Sequence, residues 1–445
     1  MRKIETIFTL SMLIGLMIAC TGSRKGDETF VHFDNEQVQA QVEDLRDKIK
    51  DNPNNIEFRT QLATIYHENG ENLEAMRVLE DGFAIDPSNA EAKYLYAEIA
   101  MTVGDQRKAY QAYKDVLQSV NGAEYLDRIG PKFTDAFKVT KLIGSTANEA
   151  FGRYSKDGSK IIYQSDQTGN WDIFEYVVAD GSIKQLTNTP QHEENPDFSP
   201  DGKMMVYAST LEDHRDVDYD QKLRDIFVYD FENNRETNLT TNGSNDWRPS
   251  YSNDGKYITF VSERSDLRDV PFYQLYSDIF IMEKDGRFQL QLTKTDGHNG
   301  GPSIAPHSTD ESGIVYFDSD KTGAYEIYRT DFKGNDTRQI TFNPGSNDVS
   351  PCVSSSGDKI VFFSDRDGNY EIYMMNTDGS AAQRLTANPA DDLNPVFSPD
   401  GAKVLFHSNR DGNYDIFQID LSEQSGTLGI YDVISRIDTA LNNLQ

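Results

Sequence analysis

Cysteine, tryptophan and histidine are scarce: 445 residues hold two, two and seven of them. With only Cys20 and Cys352 there is no disulfide framework, and no Cys-x-x-Cys pair to hold zinc or run thiol chemistry. The histidines (32, 67, 192, 214, 298, 307 and 407) form no H-E-x-x-H and no close pair. No G-x-S-x-G elbow occurs, which argues against a serine hydrolase of the α/β type. No catalytic constellation, metal site or cofactor is expected, and the chain is not read as an enzyme. Positive charge is the other deficit: 43 Lys and Arg stand against 73 Asp and Glu, a formal net charge of −30. That argues against nucleic acid, whose phosphates need cations to displace counterions, and against direct adsorption on an anionic lipid surface. A basic partner remains compatible.

The first nineteen residues have the layout of an export signal. Arg2 and Lys3 precede a mostly apolar run, Ile7 to Ala19, too short for a comfortable membrane span. It ends in Met17-Ile18-Ala19-Cys20, followed by the polar TGSRKGDE. This resembles the lipobox of bacterial lipoproteins, which implies cleavage before Cys20, lipidation of Cys20 and a linker over 20–35. Ordinary secretion is the alternative. Two or three acyl chains would anchor firmly where one does not. Thr21 follows the cysteine, so the Asp of the inner-membrane retention signal is absent. Cys352 falls inside a predicted strand and reads as a small buried hydrophobe.

Between residues 36 and 130 the apolar spacing is helical. Leu62, Ala63, Tyr66, Gly70, Ala75 and Leu79 match Tyr96, Ala97, Ala100, Gly104, Ala109 and Tyr113 at a distance of 34 residues, as Pro53 matches Pro87. The pattern resembles tetratricopeptide repeats, with flanking helices over 36–50 and 122–129 as caps. Such repeats bind peptides or proteins; a helical spacer is the plainer reading.

From about residue 148 another unit recurs, clearest in NPVFSPDGAKVLFHSNRDGNYDIFQID at 394–420, with further copies near Phe151, Asn195, Arg248, Gly301 and Ser350. Each has a short strand, a Gly turn, an apolar strand, a second turn, then DIF or EIY and a closing QLT-like strand. Four strands per unit at periods of 44 to 53 residues mean propeller blades. Over residues 136–420 the unit resembles the TolB-type propeller repeat. The expected fold is therefore multidomain, all-α helical repeats followed by an all-β six-bladed propeller over 131–421 and an amphipathic C-terminal helix within 422–445. The sixth unit lacks its closing strand, and Phe137–Ile143 is expected to supply it.

Four stretches are candidates for function. DRDGN at 365–369, echoed at 409–413, reads as a turn, because a calcium loop needs twelve residues and further oxygen ligands. Glu149, Glu193, Asp246, Asn299, Asp348 and Asp392 stand at one position of each unit. They would make an acidic ring at the channel mouth, for a cation or a basic side chain, unless each caps its own loop. RDVDYDQKLRDIF (215–227) and RDVPFYQLYSDIF (268–280) are insertions in register, and Phe272, Tyr273, Leu275 and Tyr276 would form a protein-binding patch. Ile430, Val433, Ile434, Ile437, Leu441 and Leu444 line one face of the C-terminal helix, which should dock on the protein itself.

Together these features read as a cell-envelope lipoprotein, lipid-anchored in the outer membrane and facing the periplasm or the cell surface, that binds other envelope proteins. The resemblance implies peptidoglycan-associated partners, as for TolB, or components of a type IX secretion complex. Here helical repeats stand where TolB has its own N-terminal domain. The alternative is a propeller that binds or processes a carbohydrate or peptide in its channel.

Overall fold

The computed structural model describes residues 31–271, 274–306, 313–426 and 428–444. The export signal, Cys20, Phe272 and Tyr273 lie outside the described residues. Five helices open the chain: α1 (Glu36–Asp51), α2 (Ile56–Glu68), α3 (Asn72–Phe83), α4 (Ala90–Thr102) and α5 (Gln106–Leu117). A short α6 (Leu126–Ile129) follows, and α7 (Ile430–Asn443) ends it. The 34-residue period is one of helix pairs. Asn55 and Asn89 accept amide hydrogens with their side chains at the starts of α2 and α4. Ala63, Ala75, Ala97 and Ala109 are fully buried where the helices pack closely.

The propeller has six four-stranded antiparallel sheets. Sheet order in the last places Phe137–Ile143 outermost, against Asp415–Gln424, so the ring closes with the N-terminal strand as expected. Each blade's second and third strands present one cross-strand aromatic pair at the same register. The pairs are Tyr163–Phe174, Tyr207–Phe227, Phe260–Phe280, Phe317–Tyr328, Phe362–Tyr373 and Phe406–Phe417, with centroids 5.6–6.0 Å apart. Such pairs contribute about 0.5–1.5 kcal/mol each beyond their buried area.

The C-terminal helix docks on the helical repeats. Val433, Ile437 and Ala440 are fully buried in the helical core, Lys114 pairs with Asp438 at 2.5 Å, and Arg107 donates to the Leu444 carbonyl at 2.7 Å. No helix among the described residues is long and apolar enough to cross a membrane.

Candidate functional site

Two faces must be told apart. Blade-to-blade connections and the turns between second and third strands share one, the connection face; the Ser-x-Asp-Gly hairpins lie on the other, the hairpin face. Backbone bonds tie the connection face together: residues 166, 210, 263, 320, 365 and 409, just after each second strand, donate to the carbonyls of 148, 192, 245, 298, 347 and 391 before each first strand.

The six residues of the expected ring open the six innermost strands, and they are 0–2% exposed. Each is engaged in its own junction. Glu149 accepts from Ser145, Glu193 from Thr189, Asp246 from Asn242, Asp348 from Asn343 and Asp392 from Asn388, while Asn299 donates to Thr295. Three carry an arginine from the turn after the second strand: Arg264 on Asp246 at 2.6 Å, Arg366 on Asp348 at 2.6 Å and Arg410 on Asp392 at 2.9 Å. Those guanidiniums also stack on the cross-strand aromatic pair of their blade. Asp is followed by Arg, Glu by Gln167 or Leu211, and Asn299 by Lys321. Among the described residues no cluster of His, Cys, Asp or Glu is arranged to hold a metal ion.

The DRDGN turn is a staple. Asp365 accepts the Asn347 amide and side chain at 2.6 and 2.7 Å, Arg366 holds Asp348, and Asn369 donates to the Asn388 and Ala390 carbonyls. Its glycine also receives the helical domain. Gly368 has φ +111°, and a Cβ there would lie 2.4 Å from Gln106 Nε2 and 3.2 Å from the Met101 methyl, so the helices rest directly on this backbone. Asp135 adds to the join, accepting the Ala387 amide at 2.9 Å and facing Arg410 at 3.5 Å.

A second acid backs each ring residue, at the head of the preceding third strand. Asn299 donates to Asp278 at 3.2 Å, and the pattern repeats as Glu193 with Asp172, Asp246 with Asp225 and Asp392 with Glu371. The threonine of QLT serves this acid: Thr341 donates to Glu326 at 2.6 Å and Thr386 to Glu371 at 2.7 Å. Burial, chiefly, and the neighbouring carboxylate push Glu193 up to about 7 and raise Asp225 and Glu371. Carboxyls whose folded pKa exceeds the unfolded value of about 4.3 bind more protons in the native state, so they favour stability as pH falls. Asp157, held at about 2 mainly by the Ser155 hydroxyl, acts oppositely only below that window. Buried His192 and His407, whose pKa burial lowers, oppose the carboxyls within the same window, so the test is a difference between variants. From pH 8.5 to 5.5, the melting temperature of Glu193→Gln should fall relative to the parent, where that of the exposed Glu232→Gln does not; calorimetry at both pH values checks it.

The two insertions fold alike. Asp213 and Asp266 each bind an arginine two residues on, Arg215 and Arg268, at 2.6 and 2.5 Å, and accept the amides of Leu223 and Tyr276 at 2.7 Å. Tyr276 is half-buried under Arg268 and against His298, and Leu275 is also half-buried. Leu267 was not singled out by the sequence pattern, yet it is 91% exposed on this insertion. Tyr219 of the other insertion packs on His192.

Inside the channel, the third residue of each innermost strand is a bulge with φ of 50–54°: Phe151, Asn195, Arg248, Gly301, Ser350 and Asn394. Gly301 is required, since a Cβ would meet Asp318 Oδ2 at 2.5 Å and Ser350 Cα at 2.8 Å. Arg248 crosses the bore, donating to Ser350 Oγ at 2.7 Å and Asn394 Oδ1 at 3.2 Å, and leaves a cavity of about 30 Å³. Cys352, two residues past its bulge, is partly rather than fully buried: it packs against the apolar clusters between blades and also lines the channel.

Comparison with known proteins agrees with this architecture. The family model of the TolB beta propeller domain matches residues 346–428, blades five and six. An uncharacterized protein of Agrobacterium fabrum is 32% identical over 27% of this chain and 36% of its own length. A TolB homolog of Chlorobium luteolum is 27% identical over 42% of this chain and 37% of its own. The chain thus spans little more than a third of these curated relatives. The crystal structure of TolB from Acinetobacter baumannii covers 75% of this chain and 71% of its own, at 20% identity and a TM-score of 0.42. The propeller is TolB-like, with six blades.

Proposed function

We propose that this protein is a protein-binding scaffold of the cell envelope, lipid-anchored through Cys20 in the outer membrane, with its partner on the connection face. Its helical domain is read as tetratricopeptide-like. The observation that carries the proposal is the asymmetry between the two faces. Both insertions, each pre-folded by its own Asp–Arg pair, and the docked helical domain stand on the connection face. Among the described residues the turns of the hairpin face are short. Pre-folded loops lose less freedom on binding, and the exposed Leu267 offers an apolar anchor. The similarity to TolB supports an envelope partner, peptidoglycan-associated or from a secretion complex. In a chain of net charge −30 the partner's contact surface should be basic.

The test is crosslinked capture from native envelopes with the full chain, a Cys20→Ala form, and a variant with Leu267, Phe272, Tyr273 and Tyr276 changed to Ala. One specific partner, recovered with the parent and lost with the loop variant at unchanged melting temperature, is expected. Equal recovery with the loop variant would move the site elsewhere. Cys20→Ala should leave the membrane fraction.

A further inference from the structure

We propose that the hairpin-face mouth of the channel binds a small carboxylate-bearing molecule, held by Arg153 and Lys156. Five residues into each innermost strand, one side chain per blade converges on a cavity of about 280 Å³: Arg153, Asp197, Ser250, Ser303, Cys352 and Val396. That volume is at the small end of ligand pockets, which run from about 300 Å³ upward. It suits one sugar ring or one amino-acid unit. Arg248 and its ring close the bore behind it, so the cavity is a cup rather than a passage.

The sixfold repeat is broken here in a telling way. Elsewhere the inward arginines are satisfied: Arg248 by Ser350 and Asn394, and Arg264, Arg366 and Arg410 by aspartates. Arg153 has no side-chain hydrogen bond or ion pair with a described oxygen; it stands as counter-charge near the Asp197 carboxyl and donates a hydrogen bond to the Cys352 sulfur. A guanidinium has five donors, and leaving most of them without a protein acceptor in a half-enclosed cup is costly. Lys156 reaches across the rim to Asn253 at 3.3 Å, setting a second cation above the first.

The acids around the cup are occupied. Asp197 accepts from Ser250 Oγ at 3.1 Å and the Tyr251 amide at 2.9 Å, and burial pushes its carboxyl up. The rim carboxylates Asp157, Asp201, Asp254 and Asp400 each accept a hydrogen bond from the serine of their own hairpin. A planar carboxylate is the group that a free arginine fork binds best. It could belong to a uronic acid or to a peptide C-terminus.

The proposal does not depend on the partner at the opposite face. Titration calorimetry on the full chain would use D-glucuronate and N-acetylglycine, with D-glucose and N-acetylglycinamide as neutral counterparts. A carboxylate is expected to bind where its neutral counterpart does not, and the tighter of the two acids names the source. Arg153→Gln should weaken binding roughly tenfold or more, and Lys156→Gln by less. Cys352 in the same cup gives a second readout on unmutated protein: the bound acid should slow its modification by a small neutral thiol reagent, followed by peptide mass. Undiminished binding in Arg153→Gln, or no binding and no protection of Cys352 at millimolar acid, would overturn the proposal.

Discussion

Arg410→Ala is expected to destabilise the propeller by roughly 3–5 kcal/mol, the range for removing one partner of a buried ion pair. Arg410 is 17% exposed and Asp392 not at all, so the deletion leaves a carboxylate with no counter-charge in a junction water scarcely reaches. It also strips the cation from Phe406 and Phe417 and from Asp135, which joins the helical domain to the ring. The exposed pair Lys203–Glu232 should cost no more than about 1 kcal/mol when broken. The chain offers its own rescue. Blade four uses Asn299 with Lys321 at the equivalent positions. Asp392→Asn combined with Arg410→Lys should therefore recover most of the loss, because the buried carboxylate is removed and the lysine can lie on the aromatic pair, as Lys321 does on Tyr328. Denaturant unfolding of the two single variants and the double variant decides it. An Arg410→Ala cost under about 1 kcal/mol would mean the turn arginines are surface decoration.

Ile143→Asp is expected to open the ring. Ile143 is 4% exposed, pairs with Ile416 across the seam and packs in one cluster with Tyr163, Phe174 and Leu405. A carboxylate there has no partner, and burying one costs several kcal/mol at least. The seam is the weakest closure because Phe137–Ile143 comes from the far end of the chain. Once it lifts, Asp415–Gln424 becomes a bare edge. The expected results are a large fall in melting temperature, proteolytic cuts on both sides of the seam and concentration-dependent association. A variant that remains monomeric and resists protease would show that the other five blades hold the ring without its closing strand.

The architecture is legible in the chain because each part carries a period. Alternating apolar residues mark the strands, a 34-residue spacing marks the helix pairs, and a heptad-like stripe marks α7. The missing QLT after IFQID reveals the closing strand. The site is less legible, for physical reasons. The acidic position recurs because a buried junction needs a carboxylate, and that pattern looks the same as a ring open to a ligand. Its arginine partner sits eighteen residues on in blades three, five and six, a spacing that has no meaning until the turn folds back. The channel rings depend on a bulge in each innermost strand, which shifts the side chains from the plain alternation. Neither Arg153 nor the contact between Gly368 and the helical domain leaves a local signal, because both rest on contacts between distant segments.

Partner binding is assigned to one face of the propeller, the connection face. Photocrosslinkers placed singly at Leu267 on the connection face and at Phe288 on the hairpin face, both exposed at 91% and 73%, test that most directly. In intact cells, Leu267 should crosslink one discrete envelope protein and Phe288 should not. A discrete product from Phe288 alone would contradict the assignment of partner binding to the connection face.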